Sequence, residues 1–381
     1  MKNITNLALS IVLLSSTVSS PVTVLADSVK TETVTNINKK NLGHVGTKAS
    51  NSEGMWGTSS LTFTPSTGVL IIGAGEASGT LSEAMRITSG HSLQEVKTIS
   101  FSGKVVAPVD SSMLFSGATQ VTKCEIGENL DTSKVTNMSA MFFDVGSTNL
   151  DLSHFDTSKV TDMSGMFEYA KLTSLDLTGF DTSKVTDMSE MFKDTMSLTS
   201  LDLTGFDTSK VTNMNAMFFF AEGLTTLDLS HFDTSKVTDM HLIFACMISL
   251  ERLDITGFDT LNVVMHGDAD NAFGNDVNLE ELKLGTKFKF KKTPTTDNMG
   301  LPEHEDINFV TEKWQNVGTG TIDKPNGSNE WTSAEFMANY DGLKDAGTYV
   351  WQPKAVQGAD VTVKYVDEAG QSITKDVIKT G

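Results

Sequence analysis

Two cysteines, Cys124 and Cys246, are too few to staple a chain of 381 residues, which excludes a disulfide scaffold. Proline is also scarce at seven, and four of these lie from Pro294 onward. Basic residues number 29 against 48 acidic ones, for a net charge of −19. That balance argues against nucleic acid or anionic lipid as the main partner, because both need clustered Lys and Arg. Past the N-terminus no apolar run approaches the roughly 20 residues that span a bilayer. Catalytic signatures are missing too: there is no Gly-x-Ser-x-Gly, no His-Glu-x-x-His and no phosphate-cradling loop. His154 and His231 share a repeat position but lie three turns apart, about 14 Å, too far to ligate one metal. The reading is of a protein without catalytic residues, cofactor or metal.

What is present begins with Lys2, an apolar run from Leu7 to Val18, and Val24-Leu25-Ala26. This is the layout of a secretory signal over 1–26, cleaved after Ala26. Residues 27–54 are polar and are expected to be a flexible leader. Residues 55–92 are expected to form an N-terminal β cap. In it, Leu61-Thr62-Phe63 and Val69 to Ile72 flank the turn Pro65-Ser66-Thr67-Gly68.

The dominant feature follows. The segment from Phe180 to Phe192, FDTSKVTDMSEMF, recurs nearly unchanged, with its Asp at 131, 156, 181, 207 and 233 and a decayed copy at Asp259. A period of about 20–29 residues carrying a Leu-x-x-Leu-x-Leu block marks a leucine-rich repeat. The block is explicit at 172–177, 198–203, 224–229 and 250–255 and degenerate at 96–101, 121–126 and 279–284. The fold class expected is therefore an α/β repeat over 93–288: a leucine-rich-repeat solenoid of eight turns with parallel strands on one face. Those strands fall at 96–101, 121–126, 147–152, 172–177, 198–203, 224–229, 250–255 and 279–284. Val185, Met188, Met191 and Phe192, at i, i+3, i+6 and i+7, predict a short helical or 3-10 turn on the other face. The columns Phe155, Phe180, Phe206, Phe232, Phe258 and Met138, Met163, Met188, Met214, Met240 are then core. Asp with following Thr and Ser favours turn and cap hydrogen bonds, and the column of Lys134, Lys159, Lys184, Lys210 and Lys236 offsets the Asp charge. Both cysteines are expected to be buried free thiols, about 20 Å apart and so beyond the roughly 7 Å limit of a disulfide. The polar run 267–271 lacks the glycine and distal glutamate of a calcium loop and reads as an end cap.

After Phe288 the texture changes. Residues 289–357 read as a linker and capping segment, in which Thr332-Ser-Ala-Glu335 is a capping box opening a short helix to about Tyr340 and Thr348 to Trp351 is strand-like. Residues 358–381 read as a partial β domain, a hairpin of Val361 to Val366 and Gln371 to Ile378. It ends before it could enclose a core, so a fragment is expected.

The repeat Phe-Asp-Thr-Ser-Lys-Val-Thr-x-Met-x-x-Met-Phe followed by Leu-Thr-x-Leu-Asp-Leu resembles that of BspA-like leucine-rich-repeat surface proteins of Gram-positive bacteria. The piece from Val361 to Gly381 resembles the first hairpin of a MucBP, or mucin-binding, domain. The resemblance implies a secreted, cell-surface or cell-wall adhesin that binds a host or extracellular-matrix protein or a mucin glycan. It carries over no catalytic residue and implies no membrane insertion once the signal is removed. No Leu-Pro-x-Thr-Gly sorting motif occurs.

The candidate contact is a ladder. Between the second and third Leu of successive blocks stand Glu125, Asp151, Asp176, Asp202, Asp228 and Asp254. On stacked strands at about 4.8 Å per turn they make an acidic stripe on the order of 25 Å long, on what is expected to be the concave face. A stripe of that sign meets a basic partner. The competing account is repeat consensus tolerated by a wet face. The corresponding functional alternative is a structural spacer or wall-associated scaffold without its own ligand.

Overall fold

The structure, a computed structural model, describes residues 51–264, 271–291, 299–303 and 310–354, with the backbone alone of Val361–Val363 and Val377–Lys379. The expected signal 1–26, nearly all of the leader 27–54 and the polar run 267–270 lie outside the described residues.

Apolar alternation over 59–72 produces an antiparallel meander of β1 (Ser52–Trp56), β2 (Ser59–Thr64) and β3 (Val69–Ile72). The short β4 (Gly75–Glu76) and α1 (Leu81–Ala84) follow. Then β5 (Thr98–Phe101) lies parallel to β3, with Leu70 opposite Ile99. From here the chain winds. β6 (Val105–Val106) pairs with β4, β7 (Lys123–Glu125) with β5, and β8 (Leu130–Asp131) with β6, all parallel. Trp56 is fully buried; its Nε1 donates to the Gly79 carbonyl at 3.0 Å and its ring meets Phe115 edge-on.

The repeats stack as a β-solenoid of about seven turns, one fewer than the sequence count. The phenylalanines that close the Met-x-x-Met-Phe segment (Phe142, Phe167, Phe192, Phe218, Phe244), with Phe115 and Phe273 at the ends, form a stack with ring centroids 5.5 to 6.0 Å apart. The column from Phe155 to Phe258 and the Met column from Met138 to Met240 are buried. Aligned turns bury what no single turn can.

The segment expected to be helical is not. Across Met188–Asp194 every second amide leaves its own turn: Met188 donates to the Asn213 carbonyl at 3.0 Å, Glu190 to Asn215 at 2.8 Å, Phe192 to Met217 at 2.9 Å and Asp194 to Phe219 at 2.8 Å. Between them, Met191 and Lys193 fold back three residues, to the Met188 carbonyl at 3.4 Å and Glu190 at 3.0 Å, and Ser189 donates to Asp187 Oδ1 at 2.8 Å. A helix spends every amide within itself; this backbone spends half of them on stacking. Such a run of overlapping turns needs left-handed residues. Met113, Ala140, Glu190, Ala216 and Leu242 supply one column at φ 50 to 57, with Gly165 among them, and Asp144, Tyr169, Asp194, Phe220, Cys246 and Asn275 supply another at φ 53 to 66.

A second ladder runs through threonine. The buried hydroxyl of Thr182 accepts the Asp207 amide at 2.8 Å and donates to the Asp207 carbonyl at 3.0 Å. Thr132, Thr157, Thr208 and Thr234 repeat this with Asp156, Asp181, Asp233 and Asp259. Lysine offsets the charge of the Asp column, as expected, and also bonds between turns. Lys159, Lys184 and Lys236 donate Nζ to the preceding turn's Ser133, Ser158 and Ser209 carbonyls at 2.8 to 2.9 Å.

At the far end β9 (Thr226–Asp228), β10 (Arg252–Ile255) and β11 (Glu281–Leu284) pair in parallel, with Leu253 between Leu227 and Leu282. The sheet continues into β12 (Val310–Asn316), β13 (Glu330–Trp331), α2 (Ser333–Asn339), α3 (Gly342–Asp345) and β14 (Gly347–Pro353). β14 lies antiparallel to both β11 and β12. Thr332 and Glu335 form the anticipated capping box of α2. Trp351 donates Nε1 to the Leu279 carbonyl at 2.8 Å, and Tyr340 donates its hydroxyl to Gly285 at 2.9 Å. These bonds tie an aromatic cluster of Trp314, Phe336 and Tyr349 onto the last turn. Beyond it β15 (Val361–Val363) and β16 (Val377–Lys379) pair antiparallel. No helix among the described residues is long and apolar enough to cross a membrane.

Candidate functional site

The face that carries the Leu blocks holds all six candidate acids. Glu125, Asp151, Asp176, Asp202 and Asp228 are exposed and Asp254 is half-buried. The expected register holds where strands form: Ser100 stands beside Glu125, and Asp228 beside Asp254 beside Lys283. It does not extend across the middle. Among the described residues, 147–152, 172–177 and 198–203 form no strand, and Leu175 and Leu201 are not on paired strands. Strand pairing on this face reaches inward from the antiparallel strands of each cap and stops; between them the turns are joined mainly by their other sides, with the Thr173 amide to the Thr148 carbonyl at 2.9 Å a bond made on this face.

The side chains explain why Asp suits these positions. Asp176 Oδ1 accepts the Thr178 amide at 3.0 Å and hydroxyl at 2.8 Å, and Asp202 does the same with Thr204. Asp151 is served by Ser153, Asp228 by the Ser230 amide and Asp254 by Thr256. Each carboxylate closes its own turn, an Asx turn. These bonds hold Asp176 and Asp202 below the usual carboxylate range, first through the backbone amide and then the hydroxyl. For Asp151 and Asp228 the hydroxyl leads. Two further columns use the same device, Asp131 to Asp259 and Asp110 to Asp239. The Asx geometry occupies Oδ1 and leaves Oδ2 for other partners: Asp254 Oδ2 meets Lys283 Nζ at 3.3 Å and Asp187 Oδ2 accepts from Asn213 Nδ2 at 3.0 Å.

Charge divides the ladder. At one end Lys123 pairs with Glu125, which also accepts the Ser100 hydroxyl at 2.7 Å. At the other, Lys283 pairs with Asp254 at 3.3 Å and Arg252 with Glu281 at 3.6 Å. Among the described residues no Lys or Arg lies within ion-pair distance of Asp151, Asp176, Asp202 or Asp228. A groove of 510 Å³ runs along this stretch, lined by Leu175, Asp176, Leu201, Asp202 and Asp228. The ladder is thus neutralised at its ends and unneutralised at its centre.

The cysteines are free, as expected, but half-buried rather than buried. Burial against the core pushes the Cys124 thiol up to about 12. Burial also raises Cys246, whose Sγ accepts from Asn275 Nδ2 at 3.5 Å. His231 Nε2 lies 2.7 Å from the Leu203 carbonyl. No three His, Cys, Asp or Glu among the described residues are placed to hold a metal.

Residues 109–201 and 197–275 match a family described as "Mycoplasma protein of unknown function, DUF285". Among solved structures the chain is similar to a leucine-rich repeat protein of T. pallidum. Identity is 12%, 51% of this chain and 78% of that one are covered, and the TM-score is 0.23. It is also similar to a leucine-rich repeat protein from Eubacterium ventriosum, at 12% identity, 52% and 82% coverage and a TM-score of 0.19. No curated protein matches.

Proposed function

We propose that this chain is an exported recognition protein of a bacterial surface that binds a basic region of a host or matrix macromolecule through its Leu face. The observation that carries the reading is the run Asp151, Asp176, Asp202 and Asp228: exposed, and without a Lys or Arg ion-pair partner among the described residues. Exposed like charges in a row stabilise nothing by themselves, whereas a complementary partner gains association rate from them. The export signal and the MucBP-like hairpin add cell-surface placement and mucin glycan as the class of ligand for the C-terminal end. Binding rather than catalysis suits a face built of equivalent carboxylates, since acid–base chemistry needs two in unlike environments.

A second reading, a spacer without a ligand of its own, is favoured by the Asx turns, which give each Asp a structural duty. One experiment separates the two. The full chain and its D176N/D202N/D228N variant are titrated against mucin, fibronectin, collagen and a glycan array at low and high salt. Asn keeps the Oδ1 acceptor, so folding is preserved. The recognition reading expects affinity to fall about tenfold or more and its salt dependence to flatten. A K184Q/K210Q/K236Q control should leave binding intact. No binding by the wild type leaves the spacer; equal binding by the Asp variant at both salt concentrations makes the stripe repeat consensus and moves the contact elsewhere, first to the MucBP-like hairpin.

A further inference from the structure

One carboxylate stands apart from all the others. Asp276 is fully buried, at 0% exposure. Its backbone places it in a column that is otherwise apolar or neutral. The amides of Ala170, Thr195, Ala221 and Asp276 all fold back to the Phe three residues earlier. The next Leu amide likewise returns to Thr195, Ala221, Met247 and Asp276. Ala170, Thr195, Ala221 and Met247 are buried core; only the last turn puts an ionisable group there. Asp276 Oδ1 accepts the Met247 amide at 2.9 Å, an inter-turn bond that no other residue of the column makes. Oδ2 has no partner.

We propose that Asp276 is a pH-sensitive latch between the last two turns of the solenoid, closed when its carboxyl is protonated and strained open when it is ionised. A buried carboxylate with one hydrogen bond and an empty second oxygen carries a desolvation cost that the neutral acid avoids. Burial pushes its pKa up to about 8, against a small opposing effect of the Met247 amide. Among the described groups packed around it, the titratable neighbour is the Cys246 thiol, itself raised by burial, with Glu222 and Asp194 acting on that thiol from the adjoining turns. None of these is a cation. The latch sits at a consequential place: the Asp276 carbonyl takes the Leu279 amide at 3.1 Å, and the Leu279 carbonyl takes Trp351 Nε1. Loosening Asp276 loosens the turn on which the C-terminal cap is seated, together with whatever that cap displays.

The sign follows from linkage. The folded pKa is raised, so the folded form takes up a proton that the unfolded chain releases near the ordinary Asp value of about 3.9. The stability is fully present below that value and is lost as pH rises toward 8. Between these limits the folding constant falls up to about tenfold per pH unit. The test compares the full chain with D276N, which keeps the acceptor for Met247 and carries no charge, by denaturation at pH 5, 6, 7 and 8. Hydrogen exchange at the Met247 amide is read in the wild type alone, with Leu198 as an internal reference. The expected result is a D276N advantage that is smallest at pH 5 and widens with each unit, and Met247 protection that falls relative to Leu198. A wild-type to D276N ratio that does not change with pH, or Met247 protection that tracks Leu198, means that Asp276 does not titrate across this range, and overturns the latch.

Discussion

At Ala140 the backbone holds φ at 50, a left-handed conformation that costs an L-residue roughly 1–2 kcal/mol. The cost is repeated down two columns, and it buys an inter-turn bond from most of these amides, such as Ala140 to the Ser164 carbonyl at 2.7 Å. Glycine bears no such cost, and Gly165 occupies the equivalent place one turn on. Ala140→Gly should therefore raise stability by about 1 kcal/mol and Ala140→Val should lower it, read as shifts of the urea midpoint. Were this segment helical, glycine would instead cost about 0.5–1 kcal/mol, so the sign alone decides between the two backbones. The only hint in the sequence was Gly165 alternating with Ala, Glu and Leu. The i, i+3, i+6, i+7 pattern of Val185 to Phe192 reads as a helix because such a spacing reports which residues face inward and not how the amides are used.

The element that repeats is one turn closed on itself by Asx and threonine bonds and joined to its neighbours by more of them. Thr182 shows the weight of a single column. Its hydroxyl serves the amide and the carbonyl of Asp207 in a buried setting. Thr182→Val should cost about 2 kcal/mol, since it leaves both groups unsatisfied. Thr173→Ala, whose exposed hydroxyl meets the Thr148 carbonyl at 3.2 Å, should cost under about 0.5 kcal/mol. Equal losses on chemical denaturation would falsify the ladder as a load on the fold. Periodicity alone identified Thr182 as a repeat position and the following Ser as cap chemistry. That the hydroxyl reaches across to the next turn depends on the stacking distance, which no linear pattern states.

Across the whole molecule two populations of carboxylate respond to acid in opposite directions. Asp131, Asp151, Asp156, Asp176, Asp181, Asp202, Asp207, Asp228 and Asp233 are all held below their ordinary range by turn hydrogen bonds. Their contribution is complete above about pH 4 and is lost as pH falls through the lowered values. In the D276N background, which removes the most strongly raised carboxylate and leaves Glu168 and Asp194, raised less by burial, the urea midpoint should change little from pH 7 to 5 and drop below about pH 4. A midpoint unchanged down to pH 3 would mean that the Asx columns contribute nothing to the folded state. The two caps complete the picture at this scale, since each supplies antiparallel strands to a parallel stack that would otherwise end in open edges.

The repeat period, the buried Phe and Met columns, the hairpin that opens the fold, the capping box at Thr332 and the exposed acidic ladder were all determined by the sequence, because each depends on spacing along the chain or on the chemistry of one residue beside its neighbours. The tertiary structure alone decided which sides of the turns hydrogen-bond to one another. It placed a continuous ladder along the Met-bearing side and left the Leu face without strands between its capped ends. It also decided that the ladder acids are neutralised only at those ends, and that Asp276, an ordinary Asp in the sequence, has lost its water. All of these depend on what lies one turn away, at a distance of 25 to 29 residues along the chain, and burial is a property of that neighbour.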